Sequence, residues 1–176
     1  MRVLFFTLVL FGLMGGLSPG ISGEYPSSLL ESAKIYEGLD EHRDREFLRD
    51  FMDIDPVKIP WCAAFVNKIL YINDIPSLDD MENVNPLYSR DFLKWGEPVE
   101  PDQVQFGDIV VLTRGSWQGH VGFFAGKTDD GKWLILGGNY GDKVAIGTYP
   151  RSKILGIRRY NINTNVYSRR FMGATS

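Results

Sequence analysis

The sequence is short of the residues that make cross-links and metal sites. Among 176 residues there is one cysteine, Cys62, and there are two histidines, His42 and His120. A lone cysteine excludes an internal disulfide, so packing has to hold the chain together. One cysteine and two histidines, with His42 far from the others in sequence, make a poor ligand set, and no metal is expected. No Asn-x-Ser/Thr acceptor occurs, so nothing points to glycosylation. A basic excess is also missing: 19 Lys and Arg stand against 22 Asp and Glu, a net charge of −3. Phosphate recognition needs a basic surface, so nucleic acid and acidic polymers are not expected partners. No internal repeat is visible. Past the N-terminus, no apolar stretch is long enough to cross a bilayer.

What is present is an ordinary globular composition, 44% hydrophobic and 23% charged, at a length that fits one domain. Residues 1–22 look like a signal peptide. Arg2 precedes an apolar run over residues 3–14, and Gly15, Gly16, Ser18, Pro19 and Gly20 follow it. The run is too short to span comfortably, and the small residues suit cleavage between Ser18 and Gly23. An uncleaved anchor is the rival. The expectation is export, to the periplasm or beyond, with no stable membrane anchor after cleavage. The remaining chain keeps 18 basic and 22 acidic residues, a net charge of −4. One domain is expected over residues 24–160, followed by a polar tail over 161–176.

The stretch Pro60-Trp61-Cys62-Ala63-Ala64-Phe65-Val66 begins a helix. Pro60 suits a helix start, and the run to Ile72 is apolar except for Asn67 and Lys68. That is too apolar for a surface helix, which would carry one apolar stripe. Before it, Ser27 or Ser28 caps a helix ending near Gly38, and a second helix is expected over residues 40–52. His42 falls in its polar part and is expected to be a solvated surface histidine. Another helix is expected over 86–95, stopped by Gly96. Then the period changes. Five strands are expected at 109–112, 120–125, 133–137, 144–149 and 154–160, with Asp129-Asp130-Gly131 as a hairpin turn. Helices first and a meander of strands after predict an α+β fold, with helices on one face of an antiparallel sheet.

The chemistry centres on Cys62. A thiol in a first helical turn meets the positive end of the helix dipole and unpaired N–H groups, which favour thiolate. The bland alternative is a small core residue. His120 opens a strand, with Gly122 and Phe124 on its face, and Gly122 leaves room there for the cysteine helix to approach. If the hairpin centres between Asp129 and Asp130, His120 faces Asn139. An asparagine there can accept the imidazole N–H and orient the ring, completing a Cys62-His120-Asn139 triad. Asp142 is the other candidate for that role, and turn chemistry is the competing explanation for Asn139. Trp61 and Trp117 flank the proposed residues and are candidates for walls of a substrate groove. Core aromatics are the commoner case.

Four blocks together resemble the papain-like cell-wall hydrolases of NlpC and CHAP type. They are Trp61-Cys62-Ala63-Ala64-Phe65-Val66, Gly107-Asp108-Ile109-Val110-Val111, Gly119-His120-Val121-Gly122-Phe123 and Gly137-Gly138-Asn139. The closing Gly156-Ile157-Arg158-Arg159-Tyr160 is similar to the last strand of a CHAP-like subgroup. The resemblance implies a papain-like fold and cofactor-free cleavage of an amide bond in bacterial peptidoglycan, by an endopeptidase or amidase. It carries over Cys62 as nucleophile, His120 as base and Asn139 as orienting residue. Many NlpC-type members have Asp-Cys-Ser-Gly where this chain has Trp-Cys-Ala-Ala, so that branch's specificities do not transfer. The rivals are a thiol acyltransferase on the same fold and a non-catalytic binding domain.

Overall fold

The structure, a computed structural model, describes residues 25–161. The expected signal segment and all but the first residue of the expected tail lie outside the described residues. Three helices come first: α1 (Tyr25–Lys34), α2 (Arg45–Met52) and α3 (Cys62–Ile72). Six strands follow: β1 (Glu97–Pro98), β2 (Ile109–Thr113), β3 (Gly119–Lys127), β4 (Trp133–Gly137), β5 (Ala145–Tyr149) and β6 (Ile154–Arg159). They form one antiparallel sheet in the order β1-β6-β2-β3-β4-β5. The fold class is therefore α+β, as expected, with one short strand more than the sequence signalled. No helix among the described residues is long and apolar enough to cross a membrane.

Two helices are shorter than periodicity predicts, for local reasons. The Asp40 carboxylate accepts the backbone N–H groups of His42 and Arg43, and Asp40 bridges to Lys143 beyond β4. The chain is pinned there, and α2 starts only at Arg45. Over 86–95 the expected α-helix is a 3-10 helix spanning Ser89–Lys94. Asn85 captures the Leu87 N–H with its side chain and Pro86 has no N–H to give, so the first turn cannot form.

The sheet has two apolar faces. Ile109, Val111, Val121, Phe123 and Leu136 pack under α1, α2 and α3 in the main core. Val110, Leu112, Phe124, Trp133, Ile135 and Ile157 form a second core on the opposite face, covered in part by Val99 and Val104. The helix α3 is the centre of the main core: Ala63, Phe65, Val66, Ile69 and Leu70 have no exposure or nearly none. Burial of that kind is worth roughly 1.5–3 kcal/mol per large apolar side chain.

The Gly107-Asp108 pair has a structural use. The Asp108 carboxylate is wholly buried and holds Arg159 of β6 through two bonds, both 2.7 Å, to Nε and Nη2. It also accepts the Gln105 N–H at 2.8 Å. The bidentate pair fixes the last strand to the turn before β2. Asp108→Ala leaves the guanidinium without its fork partner, and a loss of about 3 kcal/mol is expected in urea unfolding of the full chain.

Candidate active site

Cys62 is the first residue of α3, next to an N-cap, Trp61, that supplies no side-chain cap. The residue is 7% exposed. The backbone N–H groups of Val121, Ala63 and Cys62 itself lie near enough to the sulfur to favour its charged form. The Val121 donor is available because of strand parity. Phe124 donates its N–H to the Asp108 carbonyl and accepts the Gly107 N–H on the β2 side, so the N–H groups of the odd residues Val121 and Phe123 face β4. The last registered β3–β4 pair is Phe123↔Leu136. Beyond it the chain leaves the ladder at Gly137-Gly138, and the sulfur meets the Val121 N–H there.

Two glycines make that approach possible. A Cβ on Gly138 would lie 2.5 Å from the Trp61 ring and 2.8 Å from the Phe65 Cβ. A Cβ on Gly137 would lie 3.0 Å from the Val121 carbonyl oxygen and 3.2 Å from His120 Nε2. The Gly-Gly pair thus lets the start of α3 press against the end of β3.

His120 is 1% exposed, and neither ring nitrogen has a hydrogen-bond partner. Its side chain leaves β3 on the face shared with Phe124 and with its cross-strand neighbour Leu112, the face opposite α3. The expectation that Gly122 makes room for the cysteine helix is therefore overturned. A Cβ on Gly122 would lie 2.5 Å from the Leu136 carbonyl oxygen and 2.8 Å from Ile135 Cγ2, so the glycine accommodates β4. The Cys62 sulfur reaches the His120–Val121 backbone from the strand's open edge.

Electrostatically the pair is neutral. Burial pushes the Cys62 thiol up, against the lowering effect of the three N–H groups and of the Arg114 charge. The expected thiolate is corrected here, because desolvation outweighs the helix terminus. Burial, and then the Arg114 charge, pull His120 down to about 3. What this arrangement holds is a neutral thiol and a neutral imidazole, both buried, with the Val121 N–H near the sulfur.

The register expected for Asn139 holds in part. Phe123↔Leu136 and Phe124↔Ile135 have the predicted offset, although a bulge at Ala125 shifts it by one residue nearer the turn. Asn139 is half-buried, in left-handed backbone at φ 59°, and makes no hydrogen bond to His120. Asp142 is exposed, also left-handed at φ 65°, and lies with Glu41 and His42. That trio brings its ligand atoms within 4.8 Å of one another and includes neither Cys62 nor His120. His42 is exposed, as expected, with its Nε2 3.7 Å from Glu41 Oε1.

Of the two tryptophans, Trp61 is wholly buried and donates its Nε1–H to Glu41 Oε2 at 2.7 Å. It is a core side chain here and walls no groove. Trp117 is 67% exposed on the loop between β2 and β3. Its backbone oxygen accepts the Tyr88 hydroxyl at 2.6 Å. Arg90 holds the same loop through Thr113 Oγ1 and the carbonyls of Gly115, Ser116 and Gln118.

Two residues beside His120 gave no sequence signal. Tyr149 of β5 stacks obliquely at 6.0 Å between ring centroids, and its hydroxyl is buried without a partner. Arg114 begins the β2–β3 loop, with its backbone N–H on the Gln118 carbonyl two residues before His120. Its guanidinium lies beside the Tyr149 hydroxyl, short of full hydrogen-bond geometry, and its charge acts on Tyr149, Cys62 and His120. Tyr149 and Arg114 come from separate hairpins, so only the register of β3, β4 and β5 joins them.

Two measurements check the neutral pair. His120 in the folded chain sits below its ordinary 6.5, so the unfolded chain binds more protons between pH 6.5 and about 3. Stability should fall as pH falls through that window, by on the order of 5 kcal/mol from this group. Urea unfolding at a series of pH values should show a flatter acid slope for His120→Gln than for the native chain. Iodoacetamide labelling of Cys62 should reach its midpoint at a higher pH than an unhindered thiol.

Comparison with protein-family models finds no match to this sequence, and comparison with curated proteins finds none either.

Proposed function

We propose that this chain is an exported cysteine hydrolase of papain-like type that cleaves an amide bond in bacterial peptidoglycan. One observation carries the reading. The single cysteine opens a buried helix with the Val121 N–H near its sulfur, and the residue before Val121 in β3 is a buried histidine whose ring nitrogens have no partner. The peptidoglycan substrate and the export rest on the resemblance of the sequence blocks to NlpC- and CHAP-type hydrolases.

In the mechanism, His120 receives the Cys62 proton as the sulfur attacks the substrate carbonyl. The bond from sulfur to carbonyl carbon forms while the carbonyl oxygen takes up negative charge. The N–H groups now facing the sulfur, those of Val121, Ala63 and Cys62, are placed to receive that charge. His120 then returns the proton to the leaving amine, and water releases the acyl group. Asn139 makes no bond to the ring in the resting chain, so the proposal rests on Cys62 and His120 as a dyad. The neutral state of both groups favours the rival, a non-catalytic domain of the same architecture.

Mass spectrometry of fragments released from purified peptidoglycan decides between them. Fragments are expected with the native chain and none with Cys62→Ala or His120→Ala. Asn139→Ala should keep activity within about tenfold, far short of the ~10⁴-fold loss seen when an engaged orienting residue is changed. No fragments from a folded native chain would overturn the hydrolase reading.

A further inference from the structure

Beside the proposed nucleophile lies a cluster of polar groups that nothing in the resting chain satisfies. His120 Nδ1, His120 Nε2 and the Tyr149 hydroxyl are all buried and without partners. Buried polar atoms of this kind are costly unless something binds to them. They belong together: the His120 and Tyr149 rings are 6.0 Å apart, and Tyr140 closes on Tyr149 edge-on at 5.9 Å. Gly147 makes the arrangement possible. A Cβ there would lie 2.8 Å from both the Tyr149 hydroxyl and Tyr140 Cε2, so Tyr149 lies back along β5 towards the site.

The one charge at this cluster is Arg114. Arg114 has no acidic partner, as several other cations of the described residues have none, but it alone is placed at this cluster. Arg43, Arg45, Arg49, Lys58, Lys94, Lys132, Lys143 and Arg159 pair with carboxylates, and no ion pair among the described residues includes Arg114. Its guanidinium is exposed at the edge of the site, on a loop that Arg90 and Tyr88 hold from below. A guanidinium without an acid, beside an unpartnered hydroxyl donor, has the geometry to take both oxygens of a carboxylate.

We infer that Arg114 and Tyr149 form a carboxylate-binding subsite next to Cys62, so that the preferred substrates carry a free carboxylate close to the amide that is cut. The carboxylate lies across the guanidinium fork and accepts the Tyr149 O–H. The neutral Cys62 thiol places no second negative charge beside the anion. Two sources present this chemistry, the C-terminal carboxylate of a peptide and an acidic side chain. The inference rests on the proposed hydrolase for its substrate but not for its binding chemistry, which a small reagent can probe.

Iodoacetate and iodoacetamide alkylate the same sulfur and differ by one carboxylate, and Cys62 is the only thiol. In the native chain the iodoacetate rate should saturate with concentration and be suppressed by acetate. The iodoacetate-to-iodoacetamide rate ratio should exceed that of glutathione by about tenfold, the equivalent of 1.4 kcal/mol. Arg114→Gln should return the ratio to the glutathione value. Arg114→Lys should keep part of the rate without saturation, and Tyr149→Phe should raise the concentration at half-saturation. A native ratio equal to that of glutathione, a ratio unchanged in Arg114→Gln, or no reaction with either reagent overturns the subsite. In parallel, stem peptides are compared with the C-terminal carboxylate free or amidated, and with the acidic side chain free or amidated. The amidation that raises KM in the native chain but not in Arg114→Gln identifies the source. Peptidoglycan left intact while the alkylation ratio behaves as expected would sink the hydrolase and keep the subsite.

Discussion

The close approach of the α3 N-terminus to the open end of the β3–β4 ladder is the constraint on which the site depends. It needs a place where a strand stops being paired while its N–H groups still point outward. Gly137-Gly138 supplies that place by leaving the ladder without side chains of its own. Trp61 then packs flat against Gly138, anchored by its bond to Glu41, and brings Cys62 to the Val121 N–H. The anchor runs back to the helical layer, since Glu41 also donates its N–H to the Asp142 carbonyl beyond β4. One tryptophan thus ties the cysteine helix, the segment before α2 and the β4–β5 connection together.

Burial has an electrostatic consequence. Cys62 and His120 both lie where water is excluded, and there both prefer to be uncharged. The unsatisfied nitrogens of His120 and the unsatisfied hydroxyl of Tyr149 add up to a site that is strained in the polar sense. Structural pressure alone would favour an apolar replacement for each of them.

The far side of the site is built by loops, and those loops are held by charge. Arg90 threads the carbonyls between Thr113 and Gln118, and its own segment is fixed because a Cβ on Gly119 would run into Ser89. The Asp108–Arg159 pair does the same for the turn ahead of β2. The strand that carries His120 is therefore braced at both ends of its neighbour.

The sequence alone determined the order of elements, the buried character of α3 and the positions of β2 to β6. Each of these follows from short-range patterns: an unbroken apolar run, alternation of β-branched residues, an Asp-Asp-Gly turn. It also anticipated the offset of Phe123↔Leu136 and Phe124↔Ile135, although a bulge at Ala125, not the turn residues, produces that count, and the ladder stops short of residues 120 and 139. Alternation could place His120, Gly122 and Phe124 on a common face, but it carries no information about which face the helices cover. That is decided by packing of whole layers, and it went the other way. The charge state of Cys62 followed the same division. A helix start is legible in Pro60-Trp61-Cys62, whereas the desolvation that outweighs it comes from the glycines of β4 and the strand they expose. Arg114 and Tyr149 lie 35 positions apart in the chain with nothing local to link them. Only the pairing of β3 with β4 and of β4 with β5 sets them on either side of one histidine.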